Sequence, residues 1–183
     1  AVSVKYAKME LIETSLKDCF VIKNKVFGDE RGFFLESFNK KKLEDVGISF
    51  EVKQVNFAKS QKNVLRGLHY QIKPYSQAKL VGVISGAVTD VVVDLRKDSP
   101  SFLKHFKYSI EDPSTLIYIP EGFAHGYLTT QDETLFYYAV NNFYKPDHER
   151  GVLYCDKTLN IDWGNDENTI ISPKDLNQPE LNV

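Results

Sequence analysis

From Phe50 onward, apolar and polar residues alternate in short runs divided by turn residues, the signature of half-buried strands. The clearest run is Asn63 to Gln71. Period-two spacing sets Arg66, Leu68 and Tyr70 on one side, and Leu65, Gly67, His69 and Gln71 on the other. A cation and a histidine three residues apart therefore share a face only if a twist or bulge re-aims one of them. Other strands are predicted at Met9 to Thr14, Cys19 to Lys25, Phe33 to Phe38, Phe50 to Ala58, Ala78 to Ile84 and Ala87 to Leu95. Four more follow at Phe102 to Ser109, Thr115 to Ile119, Gly126 to Thr130 and Glu133 to Val140. Phe27 to Gly32 is a turn-rich break, and Ser85-Gly86 turns a hairpin. Lys40 to Val46 is a helix stopped by Gly47. Near the end, Asn160 to Trp163 is a strand, and Ser172-Pro173 opens a short helix with Ser172 as its cap. The pattern predicts a mostly β protein, an antiparallel sandwich or barrel with a few short helices.

Composition narrows the function classes. At 183 residues the chain fits one domain, spanning 1–183, large enough to bury a core. The 12 Phe and 10 Tyr suit strands and a pocket that stacks rings. A net charge of -2 argues against non-specific nucleic-acid binding, so an anionic ligand must be held by local cations. Cys19 and Cys155 have no metal-ligand spacing and form no disulfide framework. No apolar run approaches the roughly 20 residues of a membrane span. The N-terminus shows no signal peptide, and the expected location is cytoplasmic.

Four polar clusters interrupt the apolar background. They are Arg66 with His69, Lys79 at the head of an apolar strand, the loop Pro120 to Gly126 that delivers His125, and the adjacent tyrosines Tyr137 and Tyr138. Each has a plain structural reading: a hydrogen-bonded core histidine, a solvated strand-edge lysine, a packed tyrosine. Metal binding is disfavoured, because no His-X-His pair has a nearby Glu to complete a facial set. His105 and His148 read as surface. No Gly-X-Ser-X-Gly elbow, cysteine–histidine neighbour or Gly-rich phosphate loop is present, which argues against nucleophilic hydrolysis and dinucleotide chemistry.

Several segments, in order over roughly Ala7 to Pro179, resemble the dTDP-4-dehydrorhamnose 3,5-epimerases. They are Val26 to Glu36, Lys59 to Gln71, Ala78 to Val81, Asp90 to Pro100, Ile119 to Gly126, Tyr138 with Tyr144, and Ser172 to Asp175. The resemblance implies a cupin-type jelly roll, without metal or organic cofactor, assembled as a homodimer. It implies a dTDP-4-keto-6-deoxyhexose substrate, inverted at C3 and C5. By the match, His69 is the base, Asp175 supports it, Tyr138 is the acid and Lys79 sits by the C4 oxygen. Arg66 and His125 line the sugar and phosphate site. Arg31, Glu36, Gln54, Asn56, Glu149 and Lys174 match nucleotide- and substrate-binding positions, and Tyr144 the residue that stacks on thymine. The family's partner subunit supplies N-terminal contacts, which implies that Phe27 and Arg31 act in trans. The chain departs from the family pattern at Val55, Gly82 and Tyr154-Cys155-Asp156, none of which is a proton-transfer group. An epimerase acting at one carbon and a non-catalytic sugar-binding jelly roll are the competing readings.

The residue types suit the chemistry. C3 and C5 flank a ketone, so loss of either proton gives an enolate. Imidazole is a base matched to neutral pH, and a carboxylate behind it fixes its tautomer. Inversion requires a second group to return the proton on the other face, which a neutral phenol can do.

Overall fold

The computed structural model describes residues 9–182. Two antiparallel-dominated sheets pack face to face as a jelly-roll sandwich, with a separate hairpin. The first sheet runs β1 (Glu10–Glu13), β2 (Phe20–Lys23), β10 (Thr115–Ile119), β7 (Lys79–Ser85), β12 (Thr134–Val140), β5 (Gln54–Ser60). The second runs β13 (Glu149–Gly151), β6 (Val64–Gln71), β11 (Phe123–Thr129), β8 (Val88–Asp94), β9 (His105–Ile110), and β14 (Ile170–Ile171) joins β6 in parallel. The hairpin pairs β3 (Val26–Asp29) with β4 (Gly32–Leu35).

Alternation sorts the side chains. Val81, Val83 and Phe136 from the first sheet meet Val88, Val92, Phe123 and Tyr127 from the second in the central core. The outer face of the second sheet, including Leu65, Leu68, Val91 and Val93, is covered by Val152, Leu159 and Trp163. The outer face of the first sheet is covered by α1 (Lys40–Asp45) and its sequel, through Leu43, Ile48 and Phe50. Cover on both sides explains why every residue of β11 is buried.

Four expectations need correction. Val26 to Asp29 forms a strand rather than a turn-rich break. The reversal is only Glu30-Arg31, closed by the Asp29 carboxylate accepting from the Arg31 N–H at 2.9 Å. The first-sheet edge strand begins at Gln54, because Phe50 turns inward onto the α1 cluster. The strand expected at Asn160 to Trp163 is irregular. Its apolar residues do pack, but the backbone is organised by Asp156, whose carboxylate accepts from Thr158 and Leu159 N–H at 2.8 and 3.0 Å. His125 lies within β11, beyond the Pro120–Gly122 turn, not in the loop.

Candidate active site

A cavity of about 420 Å³ opens between the two sheets, within the size range of small-molecule sites. Gln54, Asn56, Lys79 and Tyr138 enter from the first sheet, and Arg66, His69, His125 and Glu149 from the second. Lys174 and Asp175 come from α2 (Pro173–Leu176), and Tyr144 from the loop after β12.

Arg66 and His69 do share a face. The β11 register passes from His125↔His69 to Tyr127↔Arg66, so one extra β6 residue is absorbed at Gly67-Leu68. Leu65 and Leu68 consequently both face the outer cluster, while Arg66 and His69 both reach the cavity. A Cβ on Gly67 would lie 2.6 Å from the Gly126 Cα, so only glycine permits this bulge.

Asp175 is brought to His69 by two devices, of which the Ser172 cap was legible in the sequence and the β14 pairing was not. β14 docks alongside β6, with Ile171 paired to Leu65, and this delivers α2. The Ser172 hydroxyl then caps α2 by accepting from the Asp175 N–H at 3.1 Å. Asp175 Oδ1 lies 2.5 Å from His69 Nε2, and Oδ2 accepts from the Gly67 N–H at 3.2 Å. Burial would raise the Asp175 carboxyl, but the His69 and Gly67 hydrogen bonds outweigh it and hold the carboxyl low. An ionised Asp175 is placed to accept a hydrogen bond from a His69 Nε2–H, which leaves Nδ1 as the ring nitrogen the carboxylate does not engage.

Lys79 is not a solvated edge residue; it is 7% exposed and turns into the cavity. Burial drives its ammonium down to about 8, against the partial support of Glu149 and Asp90. Its Nζ sits 5.8 Å from the Tyr138 ring centre. Burial raises the Tyr138 phenol, so it is neutral and proton-bearing near pH 7.

At the rim, Glu149 Oε2 accepts from Lys174 Nζ at 2.6 Å and from the Tyr144 hydroxyl at 2.9 Å. Gln54 donates to Asn56 Oδ1 at 2.9 Å and accepts from the Tyr144 N–H at 3.1 Å. Three of the predicted site residues lie elsewhere. Phe27 and Arg31 stand on the exposed β3–β4 hairpin, with Arg31 paired to Asp29. Glu36 pairs with Lys42 at 2.8 Å on the far side of the first sheet. Among residues the sequence reading passed over, Ser60 accepts from the Arg66 guanidinium at 3.1–3.2 Å, and Asp90 holds His125 Nε2 at 2.7 Å. A carboxylate inside the apolar run Val88 to Val93 was the available signal for Asp90. His105 and His148 are half-buried rather than surface residues. Among the described residues no three His, Cys, Asp or Glu side chains cluster as metal ligands, and no helix is long and apolar enough to cross a membrane.

A carboxylate-backed imidazole, a neutral phenol and a buried ammonium around one cavity define an acid–base enzyme of the isomerase class on a jelly-roll frame. The family model for dTDP-4-dehydrorhamnose 3,5-epimerase matches residues 13–182, and the chain belongs to that family. It is 49% identical over 171 residues to the dTDP-4-dehydrorhamnose 3,5-epimerase of Shigella flexneri, covering 92% of this chain and 94% of that protein. The Bacillus anthracis epimerase, solved with TDP and PPi bound, superposes with a TM-score of 0.91 at 43% identity, covering 94% of this chain and 99% of the other. The Legionella pneumophila enzyme, solved with dTDP-4-keto-L-rhamnose, gives 0.87 at 39% identity, over 96% and 100%.

Proposed function

We propose that the cavity binds dTDP-4-dehydro-6-deoxy-glucose and inverts C3 and C5 to give dTDP-4-dehydro-rhamnose. The observation that carries this reading is the placement of the two proton-transfer groups. His69, backed by Asp175 at 2.5 Å, comes from the second sheet, and Tyr138 from the first. A sugar ring lying between the sheets offers one face to each. His69 Nδ1 takes the proton from the carbon beside the C4 ketone. The C–H electron pair moves into the enolate, whose oxygen the Lys79 ammonium stabilises, a contribution of about 3 to 4 kcal/mol for a preorganised donor. Tyr138 gives its proton to the opposite face of the same carbon. His69 then releases its proton to solvent, Tyr138 regains one from solvent, and with both groups restored the cycle repeats at the second carbon. The sugar's oxidation state does not change, so proton transfer completes the reaction.

Arg66, His125 and Lys174 are suited to the diphosphate and sugar, with Gln54, Asn56 and Glu149 as further polar contacts, and Tyr144 to stacking on thymine. Phe27, Phe33 and Phe34 on the hairpin are 51–70% exposed, and Val55 and Phe57 on the outer face of edge strand β5 are 49% and 64% exposed. These surfaces support a homodimer in which the hairpin carries Phe27 and Arg31, with Glu36 just beyond it, to the partner's site. The free thiols of Cys19 and Cys155 fit a cytoplasmic, reducing location.

Proton NMR of the substrate in heavy water tests the reading. Deuterium should enter at both C3 and C5, and a coupled reductase should yield the rhamnose configuration. Label at one carbon only would make the protein a single-site epimerase.

A further inference from the structure

Gln71 ends the strand that carries His69, yet it is not among the residues lining the cavity. It is 5% exposed, and its amide is spent on two neighbouring loops. Nε2 donates to the Tyr75 carbonyl at 2.6 Å and to the Phe143 carbonyl at 3.1 Å, and Oε1 accepts from the Lys145 N–H at 2.8 Å. The last two partners are the immediate neighbours of Tyr144. The Tyr144 N–H itself is taken by Gln54 from the opposite sheet at 3.1 Å. The backbone on either side of a 47%-exposed ring is thus fixed by a buried amide, in a stretch with no regular structure of its own from Asn141 to Lys145.

We propose that Gln71 is a positioning residue for nucleotide recognition, holding the Tyr144 ring in its base-stacking pose before substrate arrives. This rests on the reading of Tyr144 as the base-stacking residue. A ring ordered in advance loses no conformational freedom on binding, whereas a free loop must lose it each time. The same strand then carries the catalytic base at His69 and, two residues on, the anchor of the nucleotide clamp.

The test is a double-mutant cycle of Gln71→Leu and Tyr144→Ala, read by calorimetric titration with dTDP. Gln71→Leu should weaken dTDP binding about five- to tenfold, raise KM by a similar factor and alter kcat by less than about twofold. In the Tyr144→Ala background the same change should have no further effect on binding. Equal weakening in both backgrounds would overturn the proposal, because Gln71 would then act elsewhere. Unchanged binding in Gln71→Leu, with binding lost in Tyr144→Ala, would overturn it while leaving the reading of Tyr144 intact. If Tyr144→Ala alone binds dTDP normally, that reading fails and takes the proposal with it. Should the leucine variant not fold, Gln71→Glu takes its place in the cycle; it keeps the acceptor for Lys145 and loses both donors.

Discussion

His69–Asp175 and His125–Asp90 are the same pair of residue types at nearly the same spacing, 2.5 and 2.7 Å. Their surroundings differ. The His69 side chain is 30% exposed, and its carboxylate arrives on a C-terminal turn from 106 residues away. The His125 side chain is 7% exposed and Asp90 is fully buried, both on neighbouring central strands, with the imidazole stacked on Phe136 at 5.9 Å. The first pair leaves its imidazole partly exposed at the cavity, where the proposed reaction needs a base. The other also lines the cavity, but its imidazole is packed among the Tyr127 and Phe136 rings at 6.1 and 5.9 Å and is nearly buried. On the proposed reading, the more accessible His69–Asp175 pair serves as the base and the buried His125–Asp90 pair as a rigid polar lining.

The sharpest way to break this contrast is alanine at each histidine. His69→Ala should lower solvent deuterium incorporation at least about a thousandfold and leave thermal stability nearly unchanged. His125→Ala should cost much less rate and more stability, about 2 kcal/mol, since it opens a cavity and strands a buried carboxylate. Equal rate losses would erase the distinction.

A second comparison separates activity from stability at Lys79. With its ammonium near 8 rather than 10.5, turnover should fall as pH rises through about 8, because the enolate loses its counter-charge. Stability should move the other way. Between those values the unfolded chain binds the proton more tightly than the folded one, so this group's contribution to stability rises with pH. Lys79→Met should lower kcat about a hundredfold and remove the alkaline limb from the pH–rate profile. A limb that survives the substitution would assign it to another group.

The strands and the two-layer class were legible because alternation records which face each residue takes, whereas most cavity residues were named from residue type or from the family resemblance. His69, Lys79, Tyr138 and Asp175 could be named from residue type and family motif. What alternation could not show is where its own count fails. It set Arg66 and His69 on opposite faces, and the bulge at Gly67-Leu68 unites them, because Gly67 lets the β11 backbone come within contact distance. The approach of Asp175 was also hidden, since β14 is only two residues long and pairs in parallel with a strand far earlier in the chain. Gln71 and Asp90 escaped notice for a related reason. Their importance lies in what they hold, which no local pattern records. Arg31 and Phe27 were named from the resemblance, and within one chain they stand on a hairpin outside the cavity.

The central claim is that the base and the acid approach the sugar from opposite sheets. The most direct test is Tyr138→Phe in heavy water, following washout of the C3 and C5 protons and the configuration of the product in one NMR experiment. We expect washout to persist while inversion collapses, since His69 still removes and returns the proton on its own face. Equal loss of washout and inversion would contradict the two-sided assignment and leave Tyr138 without a separate role as the acid.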